Sequence, residues 1–253
     1  MGLADLHLHT THSHDGTFTP RAALSRAVEC GLDVLAITDH NVMSGAFEAL
    51  ELAPEYGIEV VPGCEISTAE GHLVALYITQ PVPPGLSLAA TVRKVAEQDG
   101  LCVVAHPTSW KSPASLSLAA IQHALEQPGI AETLVGIEAF VAGSWYTLRH
   151  PALSRFVHKS GLVPVGGSDA HVLRALGLVR TGFAGKTAAD LRAALIEKSV
   201  QVRQTRQVSV LGLVAEWLFR YQLRRSGWIT CAPSPEFAPQ MQYRPEKVAV
   251  RRD

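Results

Sequence analysis

Short apolar runs recur along this chain, and nearly every one is closed by a histidine or a carboxylate. Leu3-Ala4-Asp5-Leu6-His7-Leu8-His9 is the first. Asp33-Val34-Leu35-Ala36-Ile37-Thr38 leads to Asp39-His40, and Ile58 to Val61 leads through Pro62-Gly63 to Glu65. Leu101-Cys102-Val103-Val104-Ala105 ends at His106-Pro107, a run from Thr133 to Phe140 contains Glu138, and Val163-Pro164-Val165-Gly166 ends in Gly167-Ser168-Asp169-Ala170-His171. Runs this short and this uniformly apolar read as strands buried on both faces, the signature of a parallel sheet covered by helices. Helical patterning fills the gaps: Thr19-Pro20 is an N-cap and N1 pair for a helix closing at Cys30-Gly31, and further helices are expected over 44–52, 87–98, 116–126, 151–160 and 187–198.

Six or seven such β-then-α units define an α/β fold. A barrel is favoured over an open sheet, because only a closed sheet brings all the strand ends, and therefore all these side chains, to one rim. His72 opens a strand rather than ending one. The connection from Ile66 to Gly71 is too short for a helical crossover, so the strand from His72 to Ile78 is expected to run antiparallel to its predecessor, bringing His72 to the rim of Glu65.

The chain of 253 residues, 47 % hydrophobic, is long enough for one large core. A formal charge of -1 gives no global field for nucleic acid or an anionic membrane. Cys30, Cys64, Cys102 and Cys231 are widely spaced within or beside apolar segments, as expected of small buried hydrophobes in a reducing cytoplasm. With neither a secretory leader nor a membrane span in the pattern, the expected location is cytoplasmic. No G-x-S-x-G or glycine-rich phosphate loop is present, which argues against serine-hydrolase and nucleotide-loop chemistry.

The rim candidates are His7, His9, Asp15, His40, Glu65, His72, His106, Asp169 and His171. Residues i and i+2 of a strand share a face, so His7 and His9 point the same way. Each taken alone has a bland explanation: Asp15-Gly16 as a turn, His40 as a helix-start residue, His106 as a hydrogen-bonded histidine before proline. Their joint placement at one rim favours metal. The set is oxygen and imidazole without thiolate, which suits Zn, Mn or Fe in a hydrolytic site, and it is large enough for two or three ions sharing a bridging carboxylate.

Asp5-Leu6-His7-Leu8-His9-Thr10, Asp15-Gly16-Thr17, Ile37-Thr38-Asp39-His40-Asn41, Pro62-Gly63-Cys64-Glu65-Ile66-Ser67, Ala105-His106-Pro107 and Gly167-Ser168-Asp169-Ala170-His171 together resemble the successive motifs of the PHP (polymerase and histidinol phosphatase) family. The resemblance covers roughly residues 1–200 and implies a distorted (β/α)7 barrel with a multinuclear site that hydrolyses phosphoesters through a metal-bridging hydroxide. It implies one ion on His7, His9, Glu65 and Asp169, a second on Glu65, His72 and His106, and a third on Asp15, His40 and His171, with Glu65, Asp169 and His171 at the centre of catalysis. The loop after His9 is one residue longer than the commonest family version, which leaves Asp15 and His14, less so His12, as alternatives. Asp5, Asp39 and Glu138 are expected in supporting parts, with Asp39 orienting an imidazole.

Arg174 and Lys111 are placed to meet a phosphate, and Trp110, Trp145 and Tyr146 to stack on a base or imidazole. The expected substrate is a small phosphorylated metabolite or a nucleotide, with nucleic acid entering only as nucleotide or oligonucleotide substrate. The alternatives are a metal-dependent carboxyl-ester or amide hydrolase and a non-catalytic, metal-stabilised interaction module. The barrel is expected over 1–205. Residues 206–253 then form a C-terminal helix, with Leu211, Val214, Ala215, Leu218 and Tyr221 at helical spacing, and a Pro-rich tail, packing on the barrel or on a partner subunit. Oligomeric state has no signature in the sequence.

Overall fold

The computed structural model describes residues 1–107, 114–141, 151–205 and 208–229. Its strands are β1 (Gly2–Asp5), β2 (Val34–Ile37), β3 (Glu59–Ser67), β4 (His72–Leu76), β5 (Leu101–Val104), β6 (Leu134–Val141), β7 (Val163–Gly167), β8 (Val179–Phe183) and β9 (Gln201–Gln204). Its helices are α1 (Pro20–Glu29), α2 (Ser44–Tyr56), α3 (Leu88–Ala96), α4 (Leu118–Leu125), α5 (Pro151–Ser160), α6 (Ala188–Ile196) and α7 (Val210–Arg225). Side-chain oxygens cap several of them: Thr19 accepts from Ala22, Ser87 from Ala90, Ser117 from Ala120, and Thr187 forms a reciprocal box with Asp190.

The strands form one sheet in the order β7-β6-β5-β4-β3-β2-β1-β8-β9. β4 is antiparallel to both neighbours, and Ser67 pairs with His72, the reversal expected from the short connection. The sheet curls into a nearly closed barrel. At the upper rim the continuations of β1 and β7 meet in a parallel bridge, with Asp169 N–H donating to the His7 carbonyl at 2.8 Å and His9 N–H to the Ala170 carbonyl at 3.0 Å. Lower down, β8 fills the gap, pairing antiparallel with β1 while the Thr181 hydroxyl reaches the Gly166 carbonyl at 2.8 Å.

Three details depart from the sequence reading. The sheet has nine strands, because β8 and β9 follow the strand expected to be last. Their patterning is weak: β9 is almost wholly exposed, and β8 carries Arg180, Thr181 and Gly182. α2 runs through Pro54 to Tyr56 and ends at a left-handed Gly57, rather than stopping at Leu52. α7 turns inward a stripe other than the one expected. Leu213 and Trp217 pack against the barrel, whereas Leu211, Val214 and Leu218 are exposed.

One apolar cluster takes side chains from every strand between β1 and β8 and is closed from below by Leu191 and Leu195 of α6, so the barrel is filled rather than hollow. Two outer clusters seat the remaining helices, α1, α2 and α7 on one and α3, α4 and α5 on the other. Cys64 and Cys102 are buried free thiols, and Cys30 is half-buried. No helix among the described residues is long and apolar enough to cross a membrane.

Candidate metal centre

The upper rim receives a donor side chain from each of seven strands or from the turn beyond it. β1 delivers His7 and His9, β2 His40, β3 Glu65, β4 His72, β5 His106, β6 Glu138, and β7 Asp169 and His171. The backbone leaves several of these strands through positive φ angles, at Asn41 (56°), His106 (26°) and Asp169 (49°). Non-glycine residues rarely adopt this conformation, and it persists here because the surroundings hold it. Asn41, for example, accepts the Ser67 N–H at 2.8 Å and donates to the Ser67 hydroxyl at 3.0 Å.

Glu65 is fully buried at the centre. Its Oε2 lies 3.3 Å from His7 Nε2, 3.2 Å from His9 Nε2 and 3.1 Å from His40 Nδ1. Its Oε1 lies 2.9 Å from His106 Nε2 and 3.0 Å from His72 Nδ1. On the inner side His7 Nε2 and His9 Nε2 are 3.2 Å apart, and Asp169 Oδ1 stands 3.6 and 3.3 Å from them. On the outer side Asp15 Oδ2 is 3.0 Å from His171 Nε2 and 3.3 Å from His40 Nε2. Eight of the nine rim donors fall into three sets with ligand atoms within 4.8 Å of one another: His7, His9 and Asp169; His40, Glu65 and His72; and His9, Asp15, His40 and His171. His106 joins none of these sets and stands against Glu65 Oε1.

This arrangement fits metal ions. Donors bound at about 2.0–2.2 Å to one tetrahedral ion stand roughly 3.3–3.6 Å apart. The five separations measured among His7, His9, Glu65 and Asp169, from 3.2 to 3.6 Å, follow that spacing. Moreover, Glu65 Oε2 and Asp169 Oδ1 are buried with no hydrogen-bond partner among the described residues. A buried carboxylate oxygen left in that state is costly unless a cation faces it.

Supporting contacts orient the donors. His7 Nδ1 lies 2.8 Å from Glu138 Oε1, which places the ring proton on Nδ1 and leaves the Nε2 lone pair facing Glu65. Glu138 Oε2 accepts the His106 N–H at 2.7 Å. His171 Nδ1 meets the Asp169 carbonyl at 3.0 Å, again freeing Nε2. Ser13 donates to Asp15 Oδ1 at 2.8 Å, so Oδ2 is the oxygen turned to His40 and His171. The expectation that Asp39 orients an imidazole is corrected. Asp39 accepts from Thr10 N–H at 2.6 Å, Thr10 Oγ1 at 2.8 Å and Ser13 N–H at 3.1 Å, bracing the loop backbone, and the orienting carboxylate is Glu138. Of the alternatives to Asp15, the His14 side chain is 72 % exposed. His12 turns away to Ser44 and Glu48, both at 2.8 Å.

Burial opposes charge on the groups below, and its balance against the charged neighbours decides the outcome. The carboxylates of Glu138, Glu65 and Asp169 outweigh burial at His7 and hold its pKa well above the usual value. His9, close beside Asp169 and Glu65, is pushed up to about 10, and His106, against Glu65, to about 9. At His40 burial prevails over Asp15 and the pKa falls. The imidazoles overcome burial at Glu65, Asp15 and Asp169 and keep all three well below the usual carboxylate range.

Arg174 does not join the cluster: its Nε pairs with Glu216 of α7 at 2.8 Å. Lys111, Trp110, Trp145 and Tyr146 lie outside the described residues. Two further site neighbours are not among the residues expected from the sequence. Trp217 Nε1 donates to the Asp15 carbonyl at 3.1 Å, and Arg224 donates to the carbonyls of Gly16 and Thr11. Arg224 is visible in the sequence only as part of a basic helix end.

A barrel with such donor sets at its C-terminal rim has the layout in which metal-dependent hydrolases build their sites. The chain belongs to the PHP family, as the resemblance implied. The PHP domain model matches residues 5–142 and the PHP-associated model residues 153–200. Membership places it among the metal-dependent phosphoric ester hydrolases. An uncharacterized protein of Methanocaldococcus jannaschii is 42 % identical over 116 residues, 42 % of this chain and 68 % of that one. A 5'-3' exoribonuclease of Haemophilus influenzae is 39 % identical over 37 % of this chain and 35 % of its own length. A 3',5'-nucleoside bisphosphate phosphatase of Chromobacterium violaceum is 37 % identical over 38 % and 34 %. The chain thus spans about a third of these two enzymes. Among solved structures, a two-domain protein from Bacteroides vulgatus containing a predicted PHP-like metal-dependent phosphoesterase superposes with a TM-score of 0.66 at 20 % identity, covering 86 % of this chain and 69 % of that one.

Proposed function

We propose that the protein hydrolyses the phosphoester of a small phosphorylated metabolite or nucleotide, using two or three divalent ions of Zn, Mn or Fe. The observation that carries this is the buried Glu65 carboxylate, faced by five imidazoles, with Oε2 lacking a hydrogen bond among the described residues. His7, His9, Glu65 and Asp169 would hold an inner ion, Glu65, His72 and His106 a second, and Asp15, His40 and His171 an outer one. Divalent ions held there supply Lewis acidity at a phosphoryl oxygen and lower the pKa of bound water. The chain's own part is to present unprotonated nitrogens in fixed directions. Glu138 keeps the His7 proton on Nδ1, and the Asp169 carbonyl keeps that of His171 on Nδ1. His40 turns one nitrogen to Glu65 and the other to Asp15, and so ties the outer donors to the central ones.

The phosphatase and exoribonuclease among the relatives support nucleotide-type phosphoesters as the substrate class. Glu65→Gln tests the reading. An amide cannot accept on both atoms, so turnover of nitrophenyl phosphate should vanish and bound metal fall, with the circular dichroism of the barrel retained. An unchanged rate in this variant excludes a bridging role for Glu65. Assays of a phosphomonoester, a phosphodiester and nitrophenyl acetate side by side separate phosphoryl from carboxyl chemistry, and faster hydrolysis of the acetate overturns the proposal.

A further inference from the structure

Between His9 and Phe18 the chain forms the loop that carries Asp15. Its first half is braced from within the barrel by Asp39, through Thr10 and Ser13, and by His12 against Ser44 and Glu48. The part bearing Asp15 is also gripped from outside, by a helix about two hundred residues further on. Trp217 of α7 donates to the Asp15 carbonyl at 3.1 Å, and Arg224, two turns along, spans the carbonyls of Gly16 and Thr11. The Trp217 ring stands edge-on to His171, centroids 6.3 Å apart and planes at 86°, and is backed by Tyr221 at 5.3 Å. Glu216 on the same helix pairs with Arg174, just past His171. One face of α7 therefore touches both Asp15 and His171, two donors of the outer set, while the inner donors His7 and Glu65 are fixed by β1, β3 and Glu138.

We infer that α7 is a latch on the outer metal position, with Trp217 and Arg224 as positioning residues that act through the Asp15 loop. This rests on the donor assignment proposed above. Docking of α7 sets the direction of Asp15 Oδ2 and the plane of His171, so affinity at that position depends on a helix that contributes no ligand.

The test is metal retention, read apart from turnover. Wild type, Arg224→Ala, Arg224→Lys, Trp217→Phe and Asp15→Asn are loaded with Zn or Mn and dialysed against graded chelator. Metal per chain is counted by elemental analysis, and melting temperature is followed in parallel. Arg224→Ala and Trp217→Phe should release one equivalent at roughly 10–100-fold lower chelator than wild type, the scale on which outer supporting contacts act, with the other equivalents unmoved. Trp217→Phe keeps an aromatic ring to stack on Tyr221 and deletes the N–H donor together with part of the indole. Arg224→Lys should restore part of the loss, since an ammonium reaches one carbonyl where the guanidinium fork spans two. Amide hydrogen exchange over residues 11–17 should quicken in metal-free Arg224→Ala. Retention equal to wild type in both variants overturns the latch, as does loss of all equivalents together. If Asp15→Asn itself keeps every equivalent, the donor assignment is what fails. If Asp15→Asn loses one while Arg224→Ala and Trp217→Phe do not, the assignment stands and the latch falls.

Discussion

Glu138 accepts the His7 ring proton on one oxygen and the His106 backbone N–H on the other, so a single side chain aims the His7 ring and holds the His106 main chain, and both residues present Nε2 to Glu65. Both contacts need an acceptor, and a glutamine offers only one. Glu138→Gln must then either face an amide N–H toward the His106 N–H or drive His7 into the tautomer whose Nε2 carries the proton. We expect metal affinity to fall about 10–100-fold while far-ultraviolet circular dichroism stays unchanged. Equilibrium dialysis against a metal-buffered solution measures it, and an unaltered affinity removes Glu138 from the site's support. The sequence points to the donors themselves because strand ends are readable as apolar runs. Supporting groups are harder to read. Asp39 adjoins His40 along the chain and invites the orienting part, yet in space it faces Thr10 and Ser13. Glu138 takes that part because the curled sheet brings β6 within reach of His7 on the β1 continuation, a contact between strands far apart in the chain that order alone does not reveal.

At the scale of elements, the close of β7 depends on a glycine. A Cβ on Gly167 would stand 2.5 Å from Glu138 Oε1 and 2.9 Å from the His7 Cβ, so the strand admits the Glu138–His7 contact only without a side chain there. Gly167→Ala should push Glu138 off His7 and lower metal affinity as Glu138→Gln does. The two substitutions damage one contact, so the double variant should lose less than the sum of the single losses, a departure from additivity that a double-mutant cycle measures. Full additivity would mean that the glycine acts elsewhere. The main strands and helices are legible from apolar runs and caps, and the reversal at β4 from the length of its connection. β8, β9 and the buried face of α7 are not. β9 is an edge strand with little to bury, and α7 spreads apolar residues over both sides, so periodicity favours the stripe of Leu211, Val214 and Leu218, which stays exposed.

Across the whole molecule, closing the barrel forces buried carboxylates and imidazoles into contact, and something must neutralise them. In the metal-free protein that is protons on His9 and His106, whose pKa values stand at about 10 and about 9 against an ordinary 6.5. A histidine with a raised folded-state pKa contributes stability that is fully present below its ordinary value and is lost as pH climbs through the folded value. The melting temperature of chelator-treated protein should therefore fall as pH rises from about 6.5 to about 9 to 10. Glu65 and Asp169, held below the usual carboxylate range, act in the opposite sense and withdraw their contribution only in acid. Metal ions replace those protons, so the loaded protein should melt higher and lose the alkaline dependence, and each ion taken up near neutral pH should release protons. Thermal unfolding by circular dichroism across this range, with and without Zn, reads the first effect, and calorimetric titration in buffers of different ionisation enthalpy reads the second. A metal-free melting temperature that rises through the alkaline range would show that protonated histidines are not what holds the empty rim together.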